Sequence, residues 1–288
     1  MLLSMTRVCL AWTAILATCV AGYSAGFTNQ VAREVSEVGK VVHPAMTEVS
    51  GVVASRKYPG TFWIHTDGGK QPLLVAINRD GETIAKFDVF ARFTDWEDIA
   101  IDDQGHLFLG DLGNNNCERT ELRVYRVGEP DLASTGKRPK LRPDQTWHLK
   151  FPHQPFDCES LFIIGTNGFV ISKLFKNEHA RVYRFPLAPS KEPVTLVEIG
   201  VLPITSPVTG ADVSKDGKLL GVVAKQGAHV FRIDGDPANA GRLGRWFTPL
   251  ANRHIEGCTF VEDGLLATAE TRSIYVFTNP AFRGQPIR

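Results

Sequence analysis

Three glutamates and two hydroxyl residues recur at matched places in this 288-residue chain, each at the head of an apolar run. The runs are Ser50-Gly-Val-Val, Glu97-Asp-Ile-Ala, Glu159-Ser-Leu-Phe, Thr209-Gly-Ala-Asp and Glu256-Gly-Cys-Thr, separated by 47, 62, 50 and 47 residues. Carboxylates confined together repel one another, and a bound cation or raised pKa values relieve the repulsion. An all-oxygen donor set of flexible geometry describes Ca2+. The absence of His and Cys from the five positions argues against zinc or copper. The competing reading is that these side chains hydrogen-bond neighbouring segments and hold no ion.

A spacing near 50 residues signals a repeat architecture. After each start the same order returns, as in IAID, the turn Asp103-Gln-Gly105, HLFLGD and LRVYRV in the second unit, or CTFV, LLATAE and SIYVF in the fifth. Such short runs, bounded by Asp-Gly and Asn-Gly signals, read as strands joined by hairpins. Fourth strands are expected at Thr83 to Val89, Gln145 to Phe151, Val194 to Leu202 and Arg242 to Phe247. Four strands per repeat make a propeller blade. The fold expected is all-β, a single five-bladed β-propeller, with six blades as the alternative. The fifth unit lacks room for a last strand, so Val35 to His43 is expected to close the ring as the outermost strand of the last blade.

In a propeller the first strands line the central channel, which would gather Ser50, Glu97, Glu159, Thr209 and Glu256 at one end as metal ligands. Antiparallel order returns the second strands to the same rim, so Asp67, Asp111, Lys173, Lys225 and Glu270 should surround the ion as catalytic candidates. Asn114, Arg119 and His65 are the substrate-binding candidates. A divalent ion flanked by Lys and Arg suits a small anionic substrate, since the metal activates water or polarises an oxygen while the cations stabilise developing charge. Asp67, Asp111 or Glu270 would serve as general base. The competing readings are a network of interblade ion pairs and, for His65, a satisfied structural histidine.

Composition bounds the alternatives. A net charge of +1 provides no field for recruiting nucleic acid or an anionic membrane. Residues 1–25 carry Arg7, an apolar run and small residues, a secretory signal pattern too short for a confident span. Export to the periplasm or outside the cell is therefore expected, with residues 26–288 forming a monomeric propeller and no integral span in the mature chain. Lipoprotein anchoring at Cys19 is the alternative. Cys117, Cys158 and Cys258 remain after cleavage, and both a 117–158 bridge and three free thiols stay open. The chain has no P-loop or EF-hand loop.

The blade starts resemble those of the calcium-activated nucleotidases, secreted apyrases whose five-bladed propeller carries a central calcium. The matching elements are Ser50-Gly51, Trp96-Glu97, Cys158-Glu159, Thr209-Gly210 and Glu256-Gly257, within roughly residues 48–277. Where that family has Asp-Asp-Arg-Thr-Gly and Pro-Arg-Arg motifs, this chain has His65-Thr-Asp67-Gly-Gly and Ser172-Lys173-Leu-Phe. The resemblance thus implies metal placement more than nucleotide hydrolysis. Asp95-Trp-Glu-Asp98 with Gly110-Asp-Leu-Gly-Asn-Asn also resembles a group of bacterial exported propeller proteins that names no reaction. The function expected is a Ca2+-dependent hydrolase of phosphate esters or phosphoanhydrides. The alternatives are a metal-dependent lactonase or esterase, and a non-catalytic binding propeller with a structural ion.

Overall fold

The computed structural model describes residues 34–67, 71–134, 140–174, 178–250 and 254–283, so the expected signal segment, with the Cys19 alternative, lies outside the described residues. Within them the chain is an all-β, five-bladed propeller. No described helix is long and apolar enough to cross a membrane.

The strands are β1 (Val35–Lys40), β2 (Val49–Ala54), β3 (Phe62–Thr66), β4 (Leu73–Ile77), β5 (Thr83–Val89), β6 (Trp96–Ile101), β7 (His106–Asp111) and β8 (Glu121–Gly128). They continue with β9 (Lys140–Leu141), β10 (Gln145–Lys150), β11 (Cys158–Ile164), β12 (Asn167–Ser172), β13 (Arg181–Pro186), β14 (Val194–Thr195) and β15 (Val197–Val201). The remainder are β16 (Val208–Val213), β17 (Leu219–Ala224), β18 (Gly227–Arg232), β19 (Arg245–Pro249), β20 (Ile255–Val261), β21 (Gly264–Ala269) and β22 (Ser273–Phe277). Blades one to four begin at β2, β6, β11 and β16, and the fifth is β20-β21-β22-β1.

The closing strand lies where the sequence places it. β1 pairs antiparallel with β22, from Val35 opposite Phe277 to Lys40 opposite Ser273. This pairing joins the two ends of the described chain and covers an edge that would otherwise seek a partner.

Each first strand is buried along nearly its whole length, because its two faces meet neighbouring first strands and the channel. The first strands touch in a closed cycle, and β6 also reaches β16 across the axis, so the channel is narrow. Glycine permits that approach. A Cβ on Gly257 would lie 2.5 Å from the Ser50 carbonyl oxygen, and one on Gly51 would lie 2.6 Å from His65 Nε2. Apolar clusters fill the spaces between blades, such as Trp63, Phe87, Trp96 and Leu109 between the first and second.

Two details depart from the sequence reading, and a third falls on one of its open alternatives. β9 has no counterpart among the expected strands, and the segment expected as one strand from Val194 to Leu202 is split into β14 and β15; β9 pairs parallel with β5 and β14 pairs parallel with β10, each capping the preceding blade. The last strand of blade four starts at Arg245 rather than Arg242, after Gly241 and Gly244, which hold φ of 83° and 155°. No 117–158 disulfide forms, since Cys117 is exposed, Cys158 is buried and both are free thiols.

Candidate metal and hydrolytic site

At the head of every blade the ladder between first and second strands slips. The shifts fall between Val49 and Val52, Trp96 and Asp98, Cys158 and Leu161, Val208 and Gly210, and Ile255 and Gly257. Ser50, Glu97, Glu159, Thr209 and Glu256 lie inside those five slips. A β-bulge leaves its extra residue out of the ladder and re-aims the side chain, which is why bulges accumulate beside functional sites. All five residues are buried.

The two hydroxyls join blades. Ser50 Oγ donates to the Glu97 carbonyl oxygen at 2.6 Å, and Thr209 Oγ1 donates to that of Ile255 at 2.8 Å. The interblade reading therefore describes what their protons do, and each hydroxyl offers only lone pairs to any further ligand.

The glutamates are each held separately. Glu159 Oε1 is in contact with Lys173 Nζ, which also lies 3.8 Å from Asp157 Oδ2. Glu256 is hydrogen-bonded to Glu270, whose Oε2 is 2.9 Å from His254 Nδ1. Glu97 shares a niche with Asp95 against Gly113, where any Cβ would collide with Asp95 Oδ2 and Glu97 Oε1. Among the described residues, no three His, Cys, Asp or Glu side chains form a group that could hold a metal ion.

Electrostatics at this rim favours added positive charge. Burial first, then Asp95 and Asp67, push Glu97 well above the usual carboxylate range. Burial likewise raises Asp95 against the opposing pull of Arg119. Burial and the hydrogen bond with Glu270 raise Glu256 to about 8. A carboxyl whose folded pKa is raised is stabilising when protonated, so its contribution is lost as pH climbs from the unfolded value toward the folded one. In chelator, the melting temperature should therefore fall between about pH 5 and pH 8 because of Glu256. Glu256→Gln should flatten that fall in a thermal denaturation series, and parallel curves for the two proteins would contradict the assignment.

Several candidates make hydrogen bonds and ion pairs that brace the rim. Asp111 is fully buried, accepts from Asp95 N at 3.1 Å, and is paired to Arg119 at 3.0 Å. Arg119 also donates to the carbonyl oxygens of Gly113 and Asp111. Asn114 spends its amide on the Arg119 and Phe156 carbonyls, while its N–H donates to Asp157 Oδ1. His65 is completely buried edge-to-face on Trp96, and burial lowers its pKa to about 4, opposed by backbone groups of Thr66 and Asp98. It stays neutral at physiological pH. Lys225 is close enough to favour the ionised form of Glu256. Asp67 lies close enough to raise Glu97.

Sequence reasoning did not single out Asp95, Asp157 and His254 as site residues, although each stands two residues before a ring glutamate. It also missed Asp98, whose Oδ2 accepts from Leu161 N at 2.8 Å and Ala211 N at 3.2 Å. This carboxylate links the first strands of blades two, three and four.

No protein-family model matches the chain, and no curated protein matches it by sequence. Solved structures of similar shape exist at low identity. A gluconolactonase from Xanthomonas campestris aligns at 12% identity with a TM-score of 0.45, over 84% of this chain and 88% of that one. A protein from Thermus thermophilus described as an oxidoreductase (glucose dehydrogenase) aligns at 12% and 0.45, over 84% and 98%. A catalytically inactive variant of virginiamycin B lyase from Staphylococcus aureus aligns at 11% and 0.42, over 82% and 67%. Likeness at this level decides neither substrate nor reaction. The nucleotidase resemblance rests on the blade-start residues alone.

Proposed function

We propose that the protein is an exported metal-dependent hydrolase, with a hard cation of the Ca2+ type at the bulge ring and an uncharged or weakly charged ester, such as a lactone, as substrate. The observation that carries this reading is the charge inventory of the rim. Eight carboxyl groups gather there, Asp67, Asp95, Glu97, Asp111, Asp157, Glu159, Glu256 and Glu270, and their cationic company is Lys173, Lys225, Arg119 and Arg123. Both arginines are already paired with Asp111. A polyphosphate would add negative charge to this surplus, whereas a lactone or carboxyl ester would not. The ester alternative is for that reason preferred to the phosphoanhydride one.

The donor chemistry suits a cation, although among the described residues no three of these carboxylates converge on one point. Their donors are oxygens, Gly113 leaves uncovered the Asp95 and Glu97 oxygens that a Cβ would collide with, and Glu159 Oε2 and Asp157 Oδ2 are buried without hydrogen-bond partners. Buried acceptors of that kind ordinarily have a partner. Glu97 and Glu159 would hold the ion with Asp95 and Asp157, and Glu256 would join on losing its proton. When bound, such an ion polarises a carbonyl oxygen or lowers the pKa of water.

The protein's own groups then divide the remaining work. Glu270 is partly exposed beside Glu256, and His254 fixes one of its oxygens at 2.9 Å. It is the general base that the geometry favours over Asp67 and Asp111. Lys173 holds its Nζ beside Glu159 and Asp157, placed to stabilise negative charge developing on a substrate oxygen.

The same side chain supports a second reading, a non-catalytic propeller, because Lys173 itself neutralises Glu159. A screen of lactones, carboxyl esters, phosphate esters and nucleotides, with calcium and with chelator, separates the two. Calcium-dependent ester turnover is expected. Absence of turnover on every class would favour the binding propeller, and turnover undiminished by chelator would overturn the metal mechanism.

A further inference from the structure

At the opposite end of the channel, we propose a second ligand site, built around Arg56 and suited to a small organic anion with a flat apolar body, such as an aryl carboxylate or sulfonate. First strands of six or seven residues, at about 3.3 Å per residue, put this end roughly 20 Å from the glutamates. The two sites are therefore distinct.

Arg56 occupies the turn between β2 and β3 and lines three clefts of about 920, 480 and 400 Å³. Their other walls include Gln104, Gly165, Lys215 and Glu262, from the corresponding turns of blades two, three, four and five. Arg56 is thus where the clefts of that rim converge. Its Nε is buried without a hydrogen-bond partner. The nearby buried acid Asp212 does not satisfy it, because Asp212 accepts instead from Val213 N, Thr259 Oγ1 and Phe260 N at 2.8, 2.9 and 2.9 Å. The planar guanidinium of Arg56, which lines all three clefts, matches the fork of a carboxylate or sulfonate.

The largest cleft, between blades four and five, supplies the rest of the specificity. Trp246, Phe260 and Phe282 line it, giving a ring-shaped ligand apolar contact. Of its cations, Arg232 is matched by Asp234 at 3.0 Å, Lys218 by Asp216 at 3.6 Å, and Arg283 donates to the Thr278 carbonyl oxygen at 3.3 Å, whereas no ion pair engages Lys215 among the described residues; Glu262 is the one further acid on the wall. Arg56 and Lys215 therefore supply positive charge to a cleft with an aromatic wall.

Anilinonaphthalene sulfonate is a suitable probe, since it combines an aromatic body with a fixed negative charge. Titration of the folded protein should show one saturable site with quenching of Trp246 fluorescence, and a neutral phenylnaphthylamine should bind at least tenfold more weakly. Arg56→Met should weaken the sulfonate at least tenfold, and Lys215→Met, on the exposed turn, should weaken it severalfold even if the first variant folds poorly. Glu97→Gln, on the far rim, should leave it unchanged. Failure of the sulfonate to bind, equal binding of the neutral compound, or binding unaltered by both cation substitutions would overturn the proposal.

Discussion

Replacing Asp98 with alanine is expected to remove about 3–5 kcal/mol of stability, a large part of what a single domain possesses. The side chain is fully buried at the axis. One oxygen accepts from Ile99 N at 2.9 Å and the other from Leu161 N and Ala211 N at 2.8 and 3.2 Å. Alanine would strand backbone donors from two neighbouring blades in a space too closed for easy rescue, and each stranded donor costs about 1–3 kcal/mol. Asparagine keeps one carbonyl acceptor and should cost less. Urea denaturation monitored by tryptophan fluorescence checks this, and a loss under about 1 kcal/mol would show that the interblade tie is weak. Asp212 repeats the device between blades four and five through Thr259 and Phe260.

Glu97→Gln is expected to act in opposite directions with and without a cation. In chelator it should raise the melting temperature, because it removes a buried charge disfavoured by burial and by Asp95 and Asp67. With calcium it should lower cation affinity about a hundredfold, or about 2.8 kcal/mol, since cation affinity follows the charge of the ligand set. A residue that merely tied blades together would do the reverse in chelator and show no response to calcium. Differential scanning fluorimetry with calcium and with chelator reads both effects, and a variant less stable in chelator with an unchanged calcium response would reject Glu97 as a ligand.

Much of this arrangement is legible in the chain because repetition exposes it. The five starts could be aligned from their sequence, and each falls in a bulge, a feature that alternation of apolar residues does not reveal. The closing role of Val35 to His43 followed from counting strands, since the fifth unit ended one strand short, and the strand observed there is Val35–Lys40. β9 and β14 were invisible for the opposite reason, as two-residue parallel pairings carry no periodicity of their own. Arg119, Asn114 and Asp111 fell on the expected rim, yet their hydrogen bonds turn inward to brace the loop after β7. Residue type and position foretold where they are, while their partners decide what they do. Asp98 was hidden beside Glu97 because adjacent strand residues point to opposite sides, and only the ring's closure shows what lies on the second side.

The central claim is that the bulge ring takes a hard cation, and isothermal titration calorimetry of chelator-stripped protein with calcium tests it most directly. One site per chain is expected, with proton release that rises as the pH is lowered from 8 toward 6, because Glu256 must give up its proton to join the ligands. Heat changes indistinguishable from dilution, or binding that persists at full affinity in Glu97→Gln and Glu159→Gln, would contradict it.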